Sequence, residues 1–286
     1  VVDDDEIIKV HVHTEQPNEA LGAGLTYGQL LTVKIENMKE QHRKAGEAAE
    51  RAKAAQTEAP SLAPVDPEKG TGFVAVAAGS GVQTLFMDLG CAHVVSGGQT
   101  MNPSTDDILR EVNKTPASTV FVFPNNKNII MAAEQCVRLS DKKVIIIPTR
   151  TVPQGISAML NFNPEETEEN LIAAMNEAAG NVHTAMVTYA ARDSDFDGHE
   201  IHAGEYLALL DGALLGSYSS EKTLFKELSW AFDELSPEFI TVYYGSDVAE
   251  DKANEAAETI IGCFPDAEVS VVNGGQPVYY YMISVE

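Results

Sequence analysis

Basic residues, cysteines and long apolar runs are scarce in this sequence. Nineteen Lys and Arg stand against 43 Asp and Glu in 286 residues, a formal net charge of −24. Such a field repels nucleic acid and anionic membrane, because binding to either depends on Lys and Arg displacing counterions from phosphates. The longest run of Val, Leu and Ile is Val144 to Ile147, far short of the roughly 20 apolar residues that span a bilayer. Nothing near the start reads as a signal peptide, so a soluble, cytoplasmic chain is expected. Cys91, Cys136 and Cys263 are odd in number, widely spaced and set in mostly apolar surroundings. That pattern predicts reduced core thiols rather than disulfides or metal ligands.

Several catalytic signatures are missing as well. There is no G-x-x-x-x-G-K-[ST] loop, no dinucleotide fingerprint after the first strand and no serine-hydrolase elbow. Asp193, Asp195 and Asp197 imitate the start of a calcium loop, but its twelfth position, which needs a bidentate glutamate, is Gly204. A hairpin turn is expected there instead.

The charge is unevenly placed. Residues 1–70 carry 8 basic and 13 acidic residues, residues 71–154 carry 7 and 6, and residues 155–286 carry 4 and 24. The local balances are therefore −5, +1 and −20. An acidic surface of this kind either aids solubility or receives a basic partner. The chain opens on Val1, directly before an apolar strand-like run, and so is expected to begin inside a larger protein.

Residues 6–14 and 32–36 read as short β-branched strands around a helical segment in which Pro17 suits the first turn. From Lys39 to Gly70 the composition turns to Ala, Glu, Lys, Arg and Gln and then to a proline-rich stretch, the pattern of a solvated helix running into a linker. Beyond it, continuous apolar strands alternate with helices, which indicates a parallel sheet covered on both faces. Past residue 180 longer strands appear, with hairpin turns expected at Asp197-Gly198 and Asp211-Gly212, so a mixed second sheet is predicted. The expected organisation is a short leading segment of about one βαβ unit (1–38), a linker (39–70), a first α/β lobe (71–155) and a second (156–286).

Four polar loops follow strands and lead into helices: "GSG" (79–81), "GGQTMNPST" (97–105), "PNNKN" (124–128) and "PTRTVPQG" (148–155). Ligands of open α/β sheets sit at the carboxyl ends of the strands. Gly79, Gly81, Thr100, Asn102, Ser104, Asn125, Asn126, Lys127 and Gln154 are thus candidates to hold a carboxylate or phosphate. The alternative is that they are turn and cap residues. At the start of the chain, "KVHVHT" puts His11 and His13 on one face of a strand, roughly 7 Å apart. They are candidate metal ligands, although no nearby cysteine supplies a third.

The motifs "IKVHVHT", "KIENMKEQH", "GFVAVAAGSG", "GGQTMNPSTDDIL", "PNNKNIIMAAEQ", "IPTRTVPQGISAM" and "VNGGQPVYYYMISVE", in this order, resemble the C-terminal half of the bacterial dihydroxyacetone kinase-like proteins that serve as the ATP-binding subunit of fatty acid kinase. The resemblance implies an α/β, two-lobed, DegV-like (EDD-type) domain behind a middle metal-binding domain. It also implies a nucleotide-binding helical domain further upstream, where ATP and magnesium would be held. In such proteins a His-x-His pair, matching His11 and His13, joins an upstream cysteine on zinc. The partner implied is a DegV-type fatty-acid carrier, whose bound carboxylate the whole kinase phosphorylates; self-association is left open. The Thr-Ser-x-Pro-Ser loop of DegV proteins is matched by Thr100, Met101, Asn102, Pro103 and Ser104, so methionine stands where a hydroxyl donor would. Their glycine-rich lipid-binding end is matched by "NGGQPVYYY". Two other readings stay open: an independent lipid-binding module, and a dihydroxyacetone kinase, for which the cleft loops hold no histidine.

Overall fold

The computed structural model describes residues 2–4, 7–9, 16–29, 69–98, 102–196 and 199–286. The chain divides into two units, Val1–Pro60 and Ser61–Glu286. In the first, β1 (Val2–Asp4) pairs antiparallel with β2 (Ile7–Lys9), and α1 (Pro17–Leu25) starts on its proline. That residue needs no intrahelical donor there and brings a preset φ.

The second unit holds two sheets. β3 (Lys69–Ala77), β4 (His93–Ser96), β5 (Ala117–Phe123) and β6 (Lys143–Ile146) form a wholly parallel sheet in the order β4-β3-β5-β6. Between them run α2 (Ser80–Asp88), α3 (Thr105–Lys114) and α4 (Ile130–Leu139). Two further helices, α5 (Val152–Leu160) and α6 (Glu168–Asn181), lead to the second sheet. It is built from β7 (His183–Tyr189), β10 (Tyr206–Leu210), β11 (Ala213–Tyr218), β12 (Phe239–Tyr244), β13 (Glu268–Asn273) and β14 (Tyr281–Val285). Their order is β11-β10-β7-β14-β12-β13, antiparallel except for the β12–β13 pair. A small hairpin, β8 (Ser194–Phe196) with β9 (His199–Ile201), projects from it, while α7 (Glu221–Asp233) and α8 (Glu250–Cys263) cover its outer face.

The apolar pattern explains the layering. Val74, Val76, Val120 and Val122 turn to one face of the parallel sheet, where Ile108, Val112, Ile129 and Ala133 of the α3–α4 side meet them. The alternate residues Phe73, Ala75, Phe121 and Phe123 turn to the other, as the two-residue repeat of a strand requires. There they join Val82 and Phe86 of α2, Ile156 and Met159 of α5, and Met175 of α6, together with Tyr243 and Met282 of the second sheet. The middle helices thus serve both sheets, and the junction expected after residue 155 lies inside α5. One core spans the two lobes.

Local signals act where the chain pattern places them. Ser104 and Asp107 form a reciprocal capping box on α3, and Gly90, at φ 105°, closes α2. Asp211 and Gly212, at φ 51° and 87°, make the tight turn between β10 and β11. The turn expected at residues 197–198 lies outside the described residues. One thiol expectation needs correction. Cys91 and Cys136 are buried, with desolvation pushing them up to about 12 and about 11, but Cys263 is exposed. The buried stripe of α8 runs Ala253, Ala256, Ala257, Ile260 and on to Phe264, which turns Cys263 outward. Among the described residues, no helix is long and apolar enough to cross a membrane.

Candidate functional site

The carboxyl ends of the parallel strands face the β12–β14 end of the second sheet, and the candidate site is the seam between them. On the first side Asn125 is the hub. It is 5% exposed, sits in the left-handed region at φ 54°, and ties three strands' ends together. Its Nδ2 donates to the Val76 carbonyl at 3.0 Å, its Oδ1 accepts from Thr149 Oγ1 at 2.8 Å, and its backbone N–H donates to that same oxygen at 3.1 Å. Asparagine is one of the few residues other than glycine that take this backbone readily. Gly155 makes room for it, because a Cβ there would lie 2.1 Å from Asn125 Oδ1.

The neighbouring candidates are committed locally. Asn126 is buried and accepts from the Asn128 N–H at 2.9 Å, an Asx turn. Gln154 accepts from the Arg150 N–H at 2.8 Å and reaches the Val182 carbonyl at 3.4 Å, while Thr151 caps α5 and meets Thr184 of β7 at 2.8 Å. Ser104 Oγ donates to Asp107 Oδ2 at 2.7 Å. Burial pushes the Asp107 carboxyl up, but hydrogen bonds from Ser104 and Arg110 outweigh it and hold the group below its ordinary value. Asn102 and Lys127 are exposed. Thr100 and Met101 lie outside the described residues.

Gly79 and Gly81 meet the second lobe directly. The Val82 N–H at the start of α2 donates to the Gly274 carbonyl at 3.0 Å. A Cβ on Gly81 would lie 1.8 Å from the Asn273 oxygen, and one on Gly79 2.5 Å from the Gly274 oxygen. This helix end is therefore filled by residues 273–276, the loop after β13. That loop is itself braced: Gln276, 4% exposed, donates to the Tyr243 carbonyl at 2.9 Å, and Gly274 and Gly275 both donate to the Tyr244 carbonyl. Sequence reading named neither Thr149, Thr151 and Thr184 nor residues 273–276 as parts of one seam. Two glycine pairs, at 79 and 81 and at 274 and 275, are the signal that two backbones approach closely.

Among the described residues, a cavity of about 30 Å³ lies at the seam, lined by Gly97, Gly98, Asn125, Met186, Gln276 and Tyr279 among others. Pockets that enclose a small organic ligand hold about 300–1,000 Å³. A hollow of about 460 Å³ lies toward the amino ends of β3 and β5, between Phe121, Phe162, Glu166 and Glu168. Its two carboxylates oppose a fatty acid head group. His11 and His13 lie outside the described residues, and among the described residues no cluster of three or more His, Cys, Asp and Glu is placed to hold a metal ion.

With this geometry in view, the likenesses to known proteins are informative. Residues 72–286 match the model for the C-terminal domain of FakA-like fatty acid kinase proteins, and residues 1–45 match that for their middle domain. The chain is 37% identical over 286 residues to an uncharacterized protein of Staphylococcus aureus strain USA300, and 39% identical over 290 residues to protein YloV of Bacillus subtilis. Each match covers 100% of this chain and 50% of the relative, so the chain spans about half the length of the curated relatives it matches. In fold it is similar to a DegV family protein from Corynebacterium glutamicum, with a TM-score of 0.57, 11% identity, and 77% and 98% of the two chains covered. It is also similar to the Streptococcus pneumoniae fatty acid kinase B3 protein loaded with linoleic acid, with a TM-score of 0.52, 11% identity, and 76% and 99% covered. The two-lobed DegV-type fold is thereby established for residues 69–286.

Proposed function

This chain belongs to the FakA-like fatty acid kinase family, and from that membership we propose that it is the carrier-engaging part of such a kinase, neither transferring phosphate nor storing lipid itself. In this reading a separate DegV-type protein carries the fatty acid, and the part of the kinase that precedes this chain holds ATP and magnesium. The observation that carries the proposal is the closed seam. A domain that kept a long acyl chain between its lobes would need a cavity of several hundred Å³, and the cavity that the described residues line at the seam holds about 30 Å³. Residues 273–276 pack into the first lobe in its place. The charge fits a docking role, since the balance of −20 over residues 155–286 speeds encounter with a basic surface. We extend the proposal to His11 and His13 as two ligands of a zinc site completed by an upstream cysteine, on the His-x-His pattern of the sequence and the family it belongs to.

Competition tests the reading. The full-length kinase should phosphorylate oleate presented by a DegV-type protein of the same organism, while this chain with ATP should not. Added in excess, the chain should slow the full-length reaction by occupying the carrier. Absence of competition at every excess would overturn the docking role. An acyl chain retained by this protein in native mass spectrometry would favour the lipid-binding module instead.

A further inference from the structure

We propose that Asn273 is a deamidation site controlled by the seam: the closed loop holds the reaction off, and the isoaspartyl product, once formed, keeps the loop from closing. The proposal is independent of the docking role. Asn273-Gly274 is the one Asn-Gly pair in the sequence. Glycine obstructs attack by its own nitrogen least, because it has no Cβ and its backbone turns freely. In the reaction the Gly274 nitrogen attacks Asn273 Cγ. The new nitrogen–carbon bond forms as the bond from Cγ to the side-chain amide nitrogen breaks, and ammonia leaves with the proton that Gly274 gives up. Water then opens the cyclic imide at either carbonyl, and no oxidant or reductant is needed. One opening leaves an aspartyl linkage at position 273. The other leaves an isoaspartyl linkage, whose main chain runs through the former side-chain carbon and is one methylene longer.

The structure opposes the first step in two ways. Asn273 is the last residue of β13, in register with Tyr244 of β12, and it is exposed while Gly274 is buried. The nitrogen that must attack is engaged, since the Gly274 N–H donates to the Tyr244 carbonyl at 3.0 Å and the Gly275 N–H donates to the same oxygen at 3.1 Å. Ring closure also requires the 273–274 peptide to turn out of the extended strand. That peptide is clamped from the first lobe, where the Val82 N–H donates to the Gly274 carbonyl at 3.0 Å and a Cβ on Gly81 would lie 1.8 Å from the Asn273 oxygen. Opening the seam frees both the nitrogen and the rotation. Asp-Gly pairs form the same imide with loss of water, but Asp211 has its Oδ1 accepting from the Thr184 N–H at 2.8 Å and its Oδ2 2.6 Å from His183 Nδ1.

The same contacts decide what each product does. An aspartyl linkage keeps the backbone spacing and puts a carboxylate at an exposed position, so the loop closes as before. An isoaspartyl linkage lengthens the chain between the Asn273 Cα and the Gly274 nitrogen. Close packing against Gly81 leaves no room for that methylene, and Val82 loses its acceptor.

The test incubates this chain at mildly alkaline pH, natively and in guanidinium chloride, and follows the peptide containing position 273 by mass mapping, with isoaspartate detected by enzymatic methylation. The native rate should be at least about tenfold below the unfolded rate. Gly81→Ala, which wedges the seam, should raise the native rate by about tenfold or more. Asn273→Gln keeps an amide but must close a larger ring, and should stay unmodified in both conditions. After separation by charge, amide hydrogen exchange on the isoaspartyl form should show Val82 losing protection by about tenfold or more, whereas Asn273→Asp keeps the wild-type protection. Equal rates in the native and unfolded wild-type chain would overturn control by the seam, whether or not Gly81→Ala folds. Wild-type protection of Val82 in the isoaspartyl form would overturn the claim that the product holds the loop open.

Discussion

In the four-stranded lobe, the polar residues at the strand ends satisfy one another: Asn125 with Thr149 and Val76, Gln154 with Arg150, Ser104 with Asp107. In the six-stranded lobe, the corresponding rim carries a valine held at positive φ and a stack of partly exposed tyrosines. The first arrangement minimises the free energy of the fold. The second departs from local preference at Val278, where Thr188 Oγ1 donates to the Val278 carbonyl and the neighbouring backbone holds the turn, and such departures are where function is to be sought. The charge repeats the contrast, with +1 over residues 71–154 and −20 over residues 155–286. Within one DegV-type fold, then, one lobe has its strand-end polar groups paired internally and the other carries most of the acidic charge.

The contact between the lobes can be broken most severely at Gly81. Gly81→Ala should lower stability by more than about 3 kcal/mol, because the new Cβ meets the Asn273 backbone oxygen rather than a side chain able to move. Gly90→Ala is the control: nothing lies within 4 Å and only the left-handed backbone opposes it, so urea denaturation should show a loss of about 1–2 kcal/mol. If the two substitutions cost the same, the seam is not a packed contact.

Next comes the hub of the four-stranded lobe. Asn125→Ala removes two side-chain bonds, leaves the Val76 carbonyl short of a donor and forces alanine to φ 54°. A loss of about 2–4 kcal/mol is expected, with Asn125→Gly recovering only the backbone part.

A smaller effect belongs to the α3 cap. Ser104→Ala should cost about 1 kcal/mol and should alter the acid side of the stability profile. The folded Asp107 carboxyl titrates below its ordinary value, so its contribution is present above about pH 4, the unfolded carboxylate range, and is lost as pH falls through the folded value. Without Ser104 the folded value should rise toward the unfolded one. Denaturant midpoints measured between pH 2 and 6 would show that acid-dependent part shrink, and an unchanged profile would remove Ser104 as the cause.

The smallest effect distinguishes thiols. Iodoacetamide on the native protein should label Cys263 and leave Cys91 and Cys136 until unfolding, since the latter two are buried and hold their protons. Peptide mass mapping reads the order.

Much of the fold was legible residue by residue. The continuous apolar runs around Phe73 and Val120 announced parallel strands, Ser104 with two aspartates behind it announced a helix start, and Asp211-Gly212 announced a hairpin. Each is a local rule, acting within a few residues of its own position. The candidate site was less legible. "GSG" has the composition of an anion nest, yet here it abuts residues 273–276, nearly two hundred positions away. Cys263 has the apolar neighbours of a core thiol, and only the rotation of α8 turns it to solvent.

Taken alone, the sequence determined the alternation of elements, the two sheet types, the caps and tight turns, the acidity of the second lobe and the family, because periodicity, side-chain chemistry and motif order are properties of neighbouring residues. Only the tertiary structure decided that α2, α5 and α6 form one layer between the sheets, that the strand-end asparagine is a strut, and that the described residues line a cavity of about 30 Å³ at the seam. It alone decided that Val278 is held at a positive φ. The physical reason is that close packing is settled between surfaces brought together by folding, where a methyl group more or a glycine less decides whether a cavity exists, and no local preference carries that information.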